Sequence, residues 1–238
     1  MHTITLTISG MPLGHPGEIP LATVELAEHC DFIVCESRRG AQTHLKRAGL
    51  SVPDHRFVVF DRKSQPRAYE DFLAELIDLS LKKPVQLLLV SDAGMPIIED
   101  PGNRWIALAE ENGFRIQIIG GPTAITSALA RAGLNGPFTF GGFPPREKPA
   151  RKSFFQSIQG YDHTFGFYEA PHRVPDIPAE LGQYLTGKRD VFIAVSLGTE
   201  EEEIHRTGMT ELKSLKLPRK PAVFLISPGP GLPRSRRK

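Results

Sequence analysis

The sequence predicts an α/β protein of two domains. Through residues 1–119, short apolar runs alternate with stretches of helical periodicity, the pattern of a parallel sheet with helices on both faces. Gly120, Gly121 and Pro122 interrupt that alternation, and beyond them strand-like runs predominate, as in a mixed sheet. The 238 residues suit one large domain or two of about 120, and either buries a real core. The expected divisions are an α/β domain at 1–120, a mixed-sheet α/β domain at 121–230, and a disordered basic tail at 231–238.

Residues 3–9 alternate as a strand, and the turn formers GMPLGHPG at 10–17 follow. Pro20 opens a helix to about Glu28, because proline fits the first helical turn. Phe32, Ile33, Val34 and Cys35 form a continuous apolar run, as in a strand buried on both faces. Ser37 caps a helix that runs to Ala48 and stops at Gly49. Residues 57–60 are another apolar run, and Phe72, Leu73, Leu76, Ile77 and Leu79 make a helical stripe within 67–82. Residues 85–90 are the most strand-like run. After the turn at 91–99, Asp100 and Pro101 are expected to cap and open a helix to about Asn112, and 114–119 is again a strand. A small-residue helix spans 123–132. Strands are then expected at 138–140, 164–168, 191–195 and 222–226, with a loop at 141–150 and helices from about Arg151 and from Pro178.

The net charge of +2 does not by itself argue for nucleic acid. Arg234, Arg236, Arg237 and Lys238 read as a solvated tail. Cys30 and Cys35 stand alone, with no further Cys or His to complete a metal site, so they read as reduced, buried thiols and no metal is expected. The first ten residues carry no basic region ahead of an apolar one, and no apolar run approaches the ~18 residues of a membrane span. A cytoplasmic protein without membrane contact is expected.

Open α/β sheets bind ligands at the carboxyl ends of their strands. Loops 10–17, 91–100 and 120–124 qualify, and each is rich in Gly and Pro. None matches G-x-x-x-x-G-K-[ST] or G-x-G-x-x-G, so either a ligand held without a phosphate cradle sits there or the loops are merely tight turns. Asp92 follows the most apolar strand. It either accepts from a ligand ammonium or backbone amides, or caps its own loop.

Seven segments in order go further. They are Met11-Pro12-Leu13-Gly14, Cys35-Glu36-Ser37-Arg38, Leu89-Val90-Ser91-Asp92-Ala93-Gly94-Met95-Pro96, Asp100-Pro101-Gly102, Gly121-Pro122-Thr123-Ala124, Gly142-Phe143-Pro144-Pro145-Arg146, and Phe167-Tyr168-Glu169-Ala170-Pro171-His172-Arg173. Together they resemble class III S-adenosylmethionine (SAM)-dependent methyltransferases, the tetrapyrrole-methylase superfamily. Within it, the chain is similar to the bacterial enzymes that methylate a ribose 2′-hydroxyl of small-subunit ribosomal RNA. The family's usual T-P-I-G-N loop is Met11-Pro12-Leu13-Gly14-His15 here. Its A-R-E-x-T-K-x-H-E segment is replaced by Val195-Ser196-Leu197-Gly198-Thr199 and the acidic run Glu200 to Glu203.

The resemblance implies a homodimer of two-domain subunits with SAM in the interdomain cleft, touching Leu13, Asp92, Met95, Pro96, Thr123, Ala124 and Tyr168. Glu36, Glu169 and His172 are the candidate acid–base residues for a hydroxyl that must lose its proton. Glu36 alternatively caps the following helix, and His172 alternatively bonds backbone. Arg38 and Arg173 are candidates for RNA phosphates, because a guanidinium grips phosphate through a fork of donors, or else for surface ion pairs. Arg146, Lys148, Arg151 and Lys152 make a basic stretch that either holds RNA or is a solvated run. A tetrapyrrole C-methyltransferase, or a non-catalytic SAM- or RNA-binding relative, are the alternatives.

Overall fold

The structure, a computed structural model, describes residues 2–61, 63–100 and 102–229. The expected basic tail at 231–238 lies outside the described residues. The chain divides into two compact units, Met1–Thr123 and Ala124–Lys238, three residues beyond the expected break.

In the first unit, strands β1 (Ile4–Ser9), β2 (Phe32–Cys35), β3 (Phe57–Val59), β4 (Val85–Val90) and β5 (Arg115–Ile119) form one sheet in the order β3-β2-β4-β1-β5. Every pairing is parallel. Helices α1 (Leu21–His29) and α2 (Arg38–Arg47) cover one face, packing Ala27, Ala41 and Leu45 on Ile33, Cys35, Leu88 and Val90. Helices α3 (Pro66–Ser80) and α4 (Asn103–Glu111) cover the other, packing Phe72, Leu76 and Trp105 on Val34, Leu87 and Leu89. Alternate residues of β4 thus serve opposite cores, which explains its uninterrupted apolar run. The connections run one way along the sheet through α1 and α2 and the other way through α3 and α4. Right-handed crossovers therefore place the two pairs on opposite faces. The chain leaves the neighbouring strands β1 and β4 toward opposite faces, so the topological switch point lies between their carboxyl ends.

In the second unit, β6 (Phe138–Phe140), β7 (Thr164–Glu169), β8 (Asp190–Val195), β9 (Glu203–Gly208) and β10 (Ala222–Ile226) form a sheet in the order β6-β7-β10-β8-β9. Only β6 and β7 pair in parallel, so the sheet is mixed as expected. Helix α5 (Ala124–Ala132) packs on Phe192, Ala194, Val223 and Leu225. Helices α6 (Lys148–Ser157), α7 (Ile177–Tyr184) and α8 (Met209–Leu212) cover the opposite face with Phe155, Leu181 and Leu212.

Among the departures from the sequence reading are two helix starts and one unexpected strand. Helix α4 starts at Asn103, with Gly102 at its N-cap, rather than at Asp100-Pro101. The approach winds through left-handed backbone at Ile97 (φ 75°), Glu99 (φ 66°) and Gly102 (φ 136°), which delays helix entry. Helix α6 starts at Lys148, ahead of the expected Arg151, with Pro149 in its first turn. Strand β9 was not expected, because its polar sequence carries no apolar alternation; pairing with β8 makes it a strand. Among the described residues no helix is long and apolar enough to cross a membrane.

Candidate functional site

The three loops expected at strand ends in the first unit converge at the switch point. Met11 N–H donates to the Gly94 carbonyl (2.8 Å) and Gly94 N–H to the Met11 carbonyl (2.9 Å), a bridge between the β1 and β4 loops. Ser91 Oγ donates to the Gly94 carbonyl from inside the turn (2.8 Å). The β1 and β5 loops touch backbone to backbone: a Cβ on Gly10 would lie 2.7 Å from Gly121 Cα, and one on Gly121 would lie 2.6 Å from Gly10 Cα. Leu13, Met95 and the Pro122 carbonyl line the same junction, around Gly94 and Gly10. Leu13, Met95, Pro96 and Thr123 therefore belong to one cluster of loops, joined by a backbone contact at Gly10 and Gly121 where no side chain fits. Ile97, β-branched with φ 75°, marks strain in the same turn, and such strain is found mostly at ligand-binding segments.

Asp92 turns its carboxylate toward the start of α2, where Oδ1 lies 2.4 Å from the position a Cβ on Gly40 would take. Ser37 is the N-cap of α2, its hydroxyl accepting from Gly40 N–H (2.9 Å), as expected. His44 Nε2 pairs with the Asp92 carbonyl (2.9 Å). Partial desolvation of the carboxyl, on a residue that is otherwise exposed, pushes Asp92 above its ordinary 3.8, against hydrogen bonds from Ser37 and the charge of His44. Asp92 thus joins the β4 turn to a neighbouring helix instead of capping its own loop. Glu36 and Arg38 flank Ser37 at the same helix end, and Arg38 makes an exposed ion pair with Asp54 (3.9 Å).

In the second unit, the Tyr168 hydroxyl accepts from Ile125 N–H (2.8 Å) at the start of α5, which places Tyr168 beside Ala124. Its ring packs on Phe140 and Phe143. The adjacent Glu169 is 1% exposed. Its carboxylate accepts from Arg151 Nη2 (2.8 Å), Arg173 Nε and Nη2 (both 2.7 Å) and Ala170 N–H (2.8 Å). With both oxygens so engaged inside the unit, Glu169 holds the turn in place and is withdrawn as a general base. Arg151 is 8% exposed and also binds Glu180 on α7 (2.7 Å). Burial lowers a guanidinium's pKa, but here the hydrogen bonds and charges of Glu180 and Glu169 outweigh it and raise that of Arg151. Arg151 is therefore a buried strut, and its expected role against RNA is corrected: Nε and Nη2 serve these carboxylates and Nη1 reaches the Pro145 carbonyl (3.4 Å). Arg173 is anchored to the same Glu169. Arg146, Lys148 and Lys152 are exposed, and His172 is exposed on the turn after β7. Helix α6 carries Lys148 and Lys152 in place of the expected loop.

Among the described residues no group of His, Cys, Asp and Glu could hold a metal ion. Within the acidic run, Glu202 accepts from Gly198 N–H (2.9 Å) and pairs with Arg131 (3.4 Å). Three features escaped the sequence reading: the Gly10–Gly121 contact, Glu180 as Arg151's partner, and Glu18, whose carboxylate binds two amides of the β1 loop. Only Glu18 left a local trace, a carboxylate directly after a Gly-rich turn and four to five residues from the amides it binds.

Fold and loop cluster define the class, an α/β protein whose Gly- and Pro-rich loops gather at the switch point of a parallel sheet. The chain belongs to the family of tetrapyrrole (corrin/porphyrin) methylases, which matches residues 5–213. It is 32% identical over 210 residues to "Ribosomal RNA small subunit methyltransferase I" of Micromonospora olivasterospora, covering 87% of this chain and 64% of that protein. The chain thus spans less than two thirds of that relative's length. The protein of the same name from Thermotoga maritima is 31% identical over 207 residues, which cover 87% of this chain and 89% of that one. The structure of a cobalt precorrin-4 methyltransferase matches the fold with a TM-score of 0.66 at 15% identity, over 94% of each chain.

Proposed function

We propose that the chain is a SAM-dependent methyltransferase acting on a ribose 2′-hydroxyl of small-subunit ribosomal RNA, as a cytoplasmic homodimer. The observation that carries the reading is the bare-backbone junction of the β1, β4 and β5 loops at the switch point, in a chain of the methylase family. The RNA substrate is supported by the names of its relatives. Leu13, Asp92, Met95, Pro96 and Thr123 are read as cofactor contacts from the first unit, and Ala124 and Tyr168 as contacts from the second. The loops fit such a cofactor: they offer amides, carbonyls and the Asp92 carboxylate, and match no phosphate-cradling motif.

SAM, when bound, supplies a methyl group already activated on a sulfonium. The chain's task is to align the hydroxyl and exclude water. His172 and Glu36 are the remaining candidates to take the hydroxyl proton, with Glu169 holding Arg173 in place. Arg38, Arg146, Lys148, Lys152 and Arg173 are the proposed phosphate contacts. Purified protein should transfer label from methyl-labelled SAM to small subunits taken from a strain lacking the gene. No incorporation into their RNA overturns the substrate reading.

Asp92→Asn separates the two jobs of that carboxylate. A carboxyl with a raised folded pKa stabilises the fold only while protonated, and this contribution is lost as pH rises through that pKa. The variant should therefore melt above wild type at pH 7, and the gap should close below the ordinary 3.8. SAM binding should weaken by about 5- to 150-fold, the loss of a charged hydrogen bond. Calorimetry showing unchanged affinity in the folded variant would remove Asp92 from the cofactor site.

A further inference from the structure

The loop after β1 is closed by its own anion. Leu13 and Gly14 present successive N–H groups, an arrangement that binds anions. Glu18 fills it: one carboxylate oxygen, Oε2, accepts from Leu13 N–H at 2.8 Å and from Gly14 N–H at 3.0 Å. The backbone supports this closure, since Glu18 N–H donates to the His15 carbonyl (3.0 Å) and His15 Nδ1 accepts from Gly17 N–H (3.1 Å). The segment 13–18 is therefore a turn in which the Glu18 carboxylate holds the Leu13 and Gly14 amides, and the bonds to His15 hold the rest. Its far side meets the rest of the junction, because Leu13 Cδ2 packs on Gly94 and Met11 bridges to Gly94. A shift of the Leu13 backbone moves the side chain that packs on the β4 turn.

We propose that Glu18 is a positioning residue for the cofactor: it occupies the Leu13–Gly14 amides and so preorganises the wall that Leu13 and the Ser91–Pro96 turn form. The proposal rests on the SAM reading above. Preorganisation raises affinity by removing the cost of ordering the loop on binding. Glu18 itself makes no contact with the reacting atoms in this scheme, so its loss acts on cofactor binding and spares the methyl-transfer step.

The test uses the full chain, Glu18→Gln and Glu18→Ala. Amide hydrogen exchange without cofactor reads the tie directly: Leu13 and Gly14 should be protected in wild type and lose protection in Glu18→Ala. Calorimetry should show the SAM Kd raised about 10-fold in Glu18→Ala and less in Glu18→Gln, which keeps a neutral acceptor oxygen. In the label-transfer assay the KM for SAM should rise while kcat at saturating SAM stays within about twofold. Formate, a small carboxylate able to enter the vacated position, should restore Kd toward wild type in Glu18→Ala, whereas chloride at equal ionic strength should not. Unchanged Kd in both folded variants overturns the proposal. So does a lower kcat at unchanged KM, or a Kd rise that formate leaves in place alongside a fall in global stability. Failure of wild type to bind SAM overturns the cofactor reading and this role with it, while the exchange data then still report on the loop tie alone.

Discussion

Replacing Arg151 with methionine lowers the unfolding free energy of the second unit by about 3 kcal/mol, toward the low end for breaking a buried ion pair. The guanidinium reaches from α6 to Glu169 at the end of β7 and to Glu180 on α7, at 2.7–3.0 Å. Without it, Glu169 keeps only Arg173 and a backbone amide. Glu180 is partly hydrated, its side chain 27% exposed, and this limits the loss. A drop in the urea midpoint of about 1–2 M is expected, read by hydrogen exchange in β7 and α7. Replacing Arg151, Arg173, Glu169 and Glu180 together by apolar side chains should recover much of the loss, because no charge of this network is then left unpaired. A loss under about 1 kcal/mol for Arg151→Met would place the guanidinium in solvent, free to meet a phosphate.

Gly10→Ala and Gly121→Ala should each cost about 2–3 kcal/mol, whereas Gly120→Ala should stay within about 0.5 kcal/mol. The reason lies in what each new methyl meets. At Gly10 it meets Gly121 Cα at 2.7 Å, and at Gly121 it meets Gly10 Cα, N and C at 2.6–3.2 Å. These are backbone atoms and cannot rotate aside. At Gly120 nothing lies within 4 Å. Because the clash pushes the β1 and β5 loops apart at the switch point, SAM binding should weaken by at least 10-fold in both costly variants and remain normal in the third. Equal effects at all three positions in thermal melts and calorimetry would mean that the loops do not meet as described.

Much of the site was legible locally. The strand-end rule selected the three loops that converge, because a parallel sheet sends its ligand-bearing turns to one edge whatever their sequence. Ser37 was read as a cap and is one, since an N-cap needs only its own helix. Arg151 was misread because Arg146, Lys148, Arg151 and Lys152 look alike in sequence. Only the start of α6 at Lys148 decides which of them points inward to Glu169 and Glu180. Glu169 was misread for the complementary reason: its partners come from α6 and from the turn after β7.

By itself, the sequence determined the alternation of elements, the all-parallel first sheet and the mixed second one, and the positions of the Gly- and Pro-rich loops. These follow from hydrophobic period and turn chemistry, which act over a few residues. Tertiary structure alone decided that Gly10 meets Gly121, that Asp92 turns toward α2, that Glu203–Gly208 is an edge strand, and that two arginines serve a buried carboxylate. The first two depend on residues tens of positions apart in the chain, the others on pairing with a neighbouring element or on which face turns inward, and none leaves a local trace in composition or spacing.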